Sequence, residues 1–281
     1  MKTLLVFVLT VQFLLWQAHS VEFRCEFGYR LDHGYPCQVT KGLLVNDNEA
    51  VTFVGNHQAG KDDNDLKLIS FSGNRHLRLH YFPRETFSKF PHLDDFSLQN
   101  CQLRNLKNGD FKDAGNLRNL NLDSNELFQL NSTTFAGASN LQWLGLASND
   151  MRTINKDAFK GLSKLQMLIL SQNKLHELHR ETFHDLVDLL EILVDRNELE
   201  TLPAGLFDRS LKLQRIWFQN NKINVIDPQF FTPLQNIKFI NLEGNVCVNE
   251  LFRKQYRETE VMLTDALKNC NPTPTAKTSK N

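Results

Sequence analysis

Apolar residues recur along this chain with a period of 24. Leu117, Leu141, Leu165, Leu189, Leu213 and Ile237 keep that step, and Asn125, Asn149, Asn173, Asn197, Asn221 and Asn245 follow it in register. A third series, Phe87, Phe111, Phe135, Phe159, Phe183, Phe207 and Phe231, has the same spacing. One unit reads Leu117-x-x-Leu120-x-Leu122-x-x-Asn125-x-Leu127-x-x-Leu130, with Phe135 following. Self-similarity of this kind marks a stack of units, each burying its apolar face only against its neighbours. Leu120 and Leu122 alternate as strand residues do, so they point inward while Asn119, Asn121 and Asp123 face out. Each unit predicts one short strand, and successive strands predict a parallel sheet.

The remaining slots have physical roles too. Asn125 falls where the chain turns away from the strand and leaves backbone groups in need of partners. A carboxamide carries both donors and an acceptor, so asparagines stacked at this slot can satisfy those groups as a ladder. Phe135 returns the outer segment to the core, which predicts a spine of phenylalanines along the convex side. Eight units start at Leu66, Leu93, Leu117, Leu141, Leu165, Leu189, Leu213 and Ile237, the first being longer between Asn74 and Phe87. At about 4.8 Å per strand, eight strands give roughly 38 Å of concave sheet. The expected fold is an α/β repeat solenoid, curved into a horseshoe, with a parallel concave sheet and a cap at each end. An open stack exposes its core at both ends, which is why caps are required. Residues 21–65 make the N-terminal cap, with Val51-Thr52-Phe53-Val54 as an added strand, and residues 66–245 make the repeats. Residues 246–271 make the C-terminal cap, expected to be helical over 251–268.

Composition and termini bear on the compartment. The 281 residues are 41% hydrophobic and 23% charged, which excludes wholesale disorder. Thirty-two basic residues balance 32 acidic ones, so there is no nucleic-acid footprint and no polybasic attraction to membranes. Residues 1–20 read as a cleaved signal peptide: Lys2, an apolar run over 4–16, then small residues at Ala18 and Ser20, with Val21 first in the mature chain. That run is shorter than the about 20 residues a membrane span needs. Residues 272–281 form a polar tail with no hydrophobic segment for a lipid anchor. The expected product is secreted and extracellular, without a transmembrane segment. In an exported chain the two cysteines of each cap pair, Cys25 with Cys37 and Cys247 with Cys270.

The repeating Leu-x-x-Leu-x-Leu-x-x-Asn unit with cysteine-bearing ends resembles the extracellular "typical" leucine-rich repeat proteins with stapled caps, the class of Toll-receptor and Slit ectodomains. The cap Gly244-Asn245-Val246-Cys247-Val248-Asn249 carries one disulfide where those receptors usually have two. In this the chain is similar to small secreted insect leucine-rich repeat proteins, including mosquito leucine-rich immune proteins. The resemblance covers about residues 21–271 and implies a role in innate immunity. The C-terminal coiled coil of the long mosquito proteins has no counterpart here, so their mode of complex formation is not implied.

Reactive chemistry is sparse. Cys101 stands in the asparagine slot of its unit, so it reads as a buried, inert thiol rather than a nucleophile or an intermolecular link. His176, His179 and His184 with Glu177 miss the HExxH spacing and fall in the outer part of one unit, where solvation explains them. Asp94, Asp95, Asp110, Asp113 and Asp123 make the early units acidic, but no loop supplies the six or more converging oxygens that calcium takes. No nucleophile elbow, phosphate loop or dinucleotide fingerprint appears, so neither catalysis nor a cofactor or metal is expected. Asn131-Ser132-Thr133 is the one glycosylation sequon and lies on the outer arc, making Asn131 the expected glycan site.

The outward strand positions carry the functional signal. Early units place Asp95, Ser97, Gln99, Asn119, Asn121 and Asp123 there. Later ones place Trp143, Met167, Ile169, Leu193, Trp217 and Phe239, with Glu191, Asp195 and Arg215 among them. No core demands large apolar groups at these positions. They form either a patch of a few hundred Å², the size that marks interaction sites, or a surface that packs on itself. Trp143, Met167, Ile169, Leu193, Arg215, Trp217 and Phe239 are the candidate partner-binding residues, Trp and Arg being frequent interface anchors. The expected function is non-enzymatic recognition of a macromolecule, a protein first and a glycan or pathogen surface next. Two other readings stand beside it: an adhesion or matrix protein, which predicts an anchor or self-association, and a carrier of a small apolar ligand, which needs an enclosed pocket.

Overall fold

The computed structural model describes residues 20–28, 34–44, 50–71, 78–253 and 267–270. The N-terminal segment contributes β1 (Ser20–Phe27), β2 (Tyr35–Lys41), the two-residue β3 (Leu43–Leu44) and β4 (Ala50–Val54). The repeats follow with β5 (Leu66–Ser70), β6 (Arg78–Leu79), β7 (Asp95–Ser97), β8 (Asn119–Asn121), β9 (Gln129–Leu130) and β10 (Trp143–Gly145). Next come β11 (Thr153–Ile154), β12 (Met167–Ile169), β13 (Glu191–Leu193), β14 (Thr201–Leu202), β15 (Arg215–Trp217), β16 (Val225–Ile226) and β17 (Phe239–Asn241). At the C-terminal end lies β18 (Leu251–Arg253).

One strand from each unit, β5, β7, β8, β10, β12, β13, β15 and β17, joins a single parallel sheet on the concave side. The register steps by one whole repeat: Leu144 pairs with Leu120 on one side and Leu168 on the other. These inward leucines are fully buried, as the alternating pattern requires. The opposite wall is thin, with two-residue ladders between β9 and β11 and between β14 and β16. Helix among the described residues amounts to one turn at Thr86–Lys89 and two 3₁₀ turns, Asp63–Asp65 and Leu267–Cys270. None is long and apolar enough to cross a membrane.

The asparagine ladder takes the form its chemistry suggests. Asn149 Nδ2 donates to Leu122 O at 3.0 Å and Leu146 O at 3.1 Å, while its Oδ1 accepts from Leu127 N at 3.1 Å. Asn125, Asn173, Asn197 and Asn221 repeat the arrangement. The residue before each rung turns through the left-handed region: Asn100, Ser124, Ser148, Gln172, Arg196 and Asn220 have φ between 54° and 58°. This turn lets each of their N–H groups reach a carbonyl of the next unit, Gln172 N to Asp195 O at 2.9 Å for example.

Two elements differ from the sequence expectation. The phenylalanine spine runs through Phe111, Phe135, Phe159, Phe183 and Phe207 with centroids 5.3–6.0 Å apart, then passes to Phe230. Phe231, which keeps the period, is only half-buried and packs edge-on against Phe230. Two adjacent phenylalanines compete for one slot, and the register slips by one at the last turn. The C-terminal cap begins as a strand rather than a helix: β18 lies antiparallel on β17, pairing Ile240 with Phe252. An edge strand presents unpaired N–H and C=O groups, and β18 satisfies them. Residues 254–266 of the expected helix, and Asn74 in the longer first unit, lie outside the described residues. Cys25 and Cys37 are bonded across β1 and β2, and Cys247 is bonded to Cys270.

Candidate binding face

The rigid sheet aims the outward side chains of successive units into one concave space, and its two ends present different chemistry. Toward the C-terminal end, Trp143, Met167, Ile169, Leu193, Trp217 and Phe239 are all half-buried. Ile169, Leu193 and Trp217 are directly paired across β12, β13 and β15, while Met167 lies between Trp143 and Glu191. The Trp217 ring packs on Phe239 with centroids 4.3 Å apart, and its Nε1 donates to Glu191 Oε1 at 2.9 Å. Arg215 Nε donates to the other oxygen, Glu191 Oε2, at 2.8 Å. The Arg253 guanidinium lies 5.8 Å from the Phe239 ring. These ties hold Trp217 and Phe239 in place without burying them. A ridge of apolar surface remains, with rings that cost little rotamer entropy to present because they are already fixed.

Toward the N-terminal end the face is polar. Asn119 Nδ2 donates to Asp95 Oδ1, and Asn121 Oδ1 accepts from Asp123 N at 2.9 Å. Asp123 Oδ1 accepts from Ala147 N at 2.7 Å. Burial pushes the Asp123 carboxyl above the usual carboxylate range, against the opposing pull of that N–H. Ser70, Asp95, Ser97, Asn119, Asn121 and Trp143, together with Leu68 and Phe96, line a recess of about 220 Å³ across β5, β7, β8 and β10. Sequence reasoning assigned Trp143 to the apolar end and missed this recess. Its one readable trace was a large aromatic directly following the polar units, with Gly145 two residues later.

The other singled-out residues are dispersed. Cys101 is buried with Sγ 3.4 Å from Gln99 O, and burial pushes its thiol up to about 12. Cys101 N donates to Asn125 Oδ1 at 3.0 Å, so its backbone joins the ladder although its side chain cannot. Asn131 is exposed just after β9 on the outer arc. His176, His179 and His184 are exposed, and among the described residues no His, Cys, Asp or Glu group is arranged to hold a metal.

Comparison with known proteins places this architecture. No curated protein matches the sequence. Among solved structures, the TLR13–ssRNA13 complex aligns with a TM-score of 0.61 and 26% identity over 66% of this chain. The Toll–Spatzle complex of Drosophila aligns with a TM-score of 0.54 and 20% identity over 72%, a likeness of fold. This chain spans only 26% and 29% of the length of those two proteins. The leucine-rich repeat model matches overlapping stretches at 91–151, 115–175, 139–199 and 189–246, more than half of the chain, and the protein belongs to the leucine-rich repeat family.

Proposed function

We propose that this is a secreted, non-enzymatic recognition protein whose concave sheet binds a protein partner, with a role in innate immunity. The observation that supports it is the ridge: large apolar side chains, half-exposed and fixed in place, at sheet positions where the core has no use for them. Full burial of each such side chain contributes about 1.5–3 kcal/mol before ordering costs, and those costs are lowered here by prior packing. The structural neighbours are complexes, one with RNA and one with the protein Spatzle. The concave positions of this chain favour the second kind of ligand. They carry Asp95, Asp123, Glu191, Asp195 and Glu243 against Arg215, a balance that repels a phosphate backbone. The signal peptide over residues 1–20 and the stapled ends fit an oxidising, extracellular setting.

The test is capture from extracellular fluid with three baits: wild type, Ile169→Glu on the ridge, and Leu211→Ser, an exposed leucine in the turn ahead of β15. A partner held by wild type and Leu211→Ser but lost by Ile169→Glu supports the reading. Retention by all three moves the binding surface off the ridge. In the same preparation, N-terminal sequencing should begin at Val21, and glycosidase should shift the mass by one N-glycan at Asn131.

A further inference from the structure

The recess at the polar end has a chemistry of its own. A Cβ at residue 145 would lie 2.5 Å from Trp143 Cη2 and 2.8 Å from Asp123 Oδ1. Gly145 is also the sole glycine at the outward strand positions of the units from Leu93 onward. Its missing side chain lets the indole lie along the sheet, where Trp143 borders the recess. Beside it, Asn119 spends Nδ2 on Asp95, and Asn121 spends Oδ1 on Asp123 N. Asn119 Oδ1 and Asn121 Nδ2 have no protein partner among the described residues. One is an acceptor and the other a donor.

These features select a ligand class by elimination and by fit. Among the described residues no lysine or arginine lines the recess, and the one charged residue there is Asp95, so anions are disfavoured. Leu68, Phe96 and Trp143 make part of the lining apolar, but a purely apolar ligand would leave the Asn119 Oδ1 and Asn121 Nδ2 groups without a partner, at a cost. A sugar ring meets each requirement: its hydroxyls both donate and accept, and its C–H face suits the negative face of an indole. The volume, about 220 Å³, falls below the roughly 300–1,000 Å³ of drug-sized sites and suits one ring at a time. We propose that this recess binds a single neutral sugar ring, the terminal residue of a glycan, stacked on Trp143 and hydrogen-bonded by Asn119 and Asn121. The proposal stands on the polar end of the face and shares only Trp143 with the ridge.

The experiment is saturation-transfer NMR on the purified full chain with neutral methyl glycosides of mannose, glucose, galactose and N-acetylglucosamine. A tetralysine peptide and adenosine monophosphate serve as the rival probes. At least one glycoside should bind with a Kd on the order of 1 mM, as expected for one small ring. Binding should vanish in Trp143→Ala and weaken about fivefold in Asn121→Ala, whose lost bond from Asp123 N should lower the melting temperature slightly while leaving the chain folded under the assay conditions. In a chain that starts at Val21, and so lacks Trp16, and that carries Trp217→Phe, the bound glycoside should perturb the fluorescence of Trp143. Ile169→Glu should bind the glycoside like wild type, so failure of the ridge reading and failure of this one are seen separately. Absence of transfer from every glycoside, or transfer indifferent to both Trp143→Ala and Asn121→Ala, overturns the assignment. So does preferential binding of tetralysine or the nucleotide through the same residues.

Discussion

The two ends of the concave sheet share one backbone and diverge in what they present. On β7 and β8 the outward groups are carboxylates and amides that bond to one another, Asn119 to Asp95 and Asn121 to the Asp123 backbone. From β12 to β17 they are aliphatic and aromatic, tied by ring packing and by Glu191, whose two oxygens take Arg215 and Trp217. Beneath both ends the inward residues are equally buried, Leu120 like Leu168. Folding thus uses one side of every strand and leaves the other side free to diversify. That is how a uniform repeat comes to carry two kinds of surface.

The comparison implies, first, that the halves share one core. Leu120→Ala and Leu168→Ala should each lose about 2–5 kcal/mol in urea unfolding, by similar amounts. A large gap between them would mean that the polar and apolar ends are supported differently. Next, Trp217→Ala should weaken binding of the protein partner by about 2 kcal/mol or more, roughly thirtyfold, while Asn121→Ala leaves that binding alone. Because Trp217 also packs on Phe239 and bonds to Glu191, its loss should lower stability by about 1 kcal/mol. A stability loss large enough to account for the lost binding would make Trp217 structural.

The ladder gives a smaller contrast between the ends. Cys101→Asn at the polar end offers Nδ2 the Leu98 O, as Asn125 uses Leu122 O, but Leu79 N, the donor that Oδ1 would need, already bonds to Cys101 O at 2.7 Å, so the exchange should destabilise by about 1 kcal/mol in denaturant melts. The native thiol should resist alkylation until the protein unfolds. Its pKa is raised from 9.0 to about 12 by burial, so the folded state keeps its proton where the unfolded state loses it. Stability should therefore fall between about pH 9 and pH 12, and this part of the loss should be absent in Cys101→Asn. Smallest of all, Gln172→Gly relieves a left-handed turn at φ 57° and should gain about 0.5 kcal/mol after the added chain entropy of glycine is counted. Destabilisation there would show that the Gln172 side chain, which accepts from Ser148 Oγ at 3.2 Å, matters more than the backbone.

Much of this was legible in the chain itself. The 24-residue step of Leu117, Asn125 and Phe135 is a statement about side-chain size and polarity at fixed intervals, and such statements survive without coordinates. Strand positions, the inward leucines and the ladder followed from it. The ridge residues were also readable as apolar side chains at outward positions, but their mutual ties were not. Trp217 and Glu191 are 26 residues apart and diagonal across two strands, so their hydrogen bond depends on how far the sheet carries one unit past the next.

Periodicity, then, governs what each slot must be, because every unit solves the same burial problem against its neighbours. It stops governing where neighbours are missing or where slots interact. At the last turn Phe230 displaces Phe231 from the spine, and a strand covers the open edge at Leu251–Arg253. At the polar end Trp143 lies where a Cβ at residue 145 would meet its ring, and it borders the recess beside Asn119 and Asn121, residues of another repeat. Which side chains meet across repeats is set by three-dimensional packing, since close approach depends on the space that residues distant in the chain leave to one another.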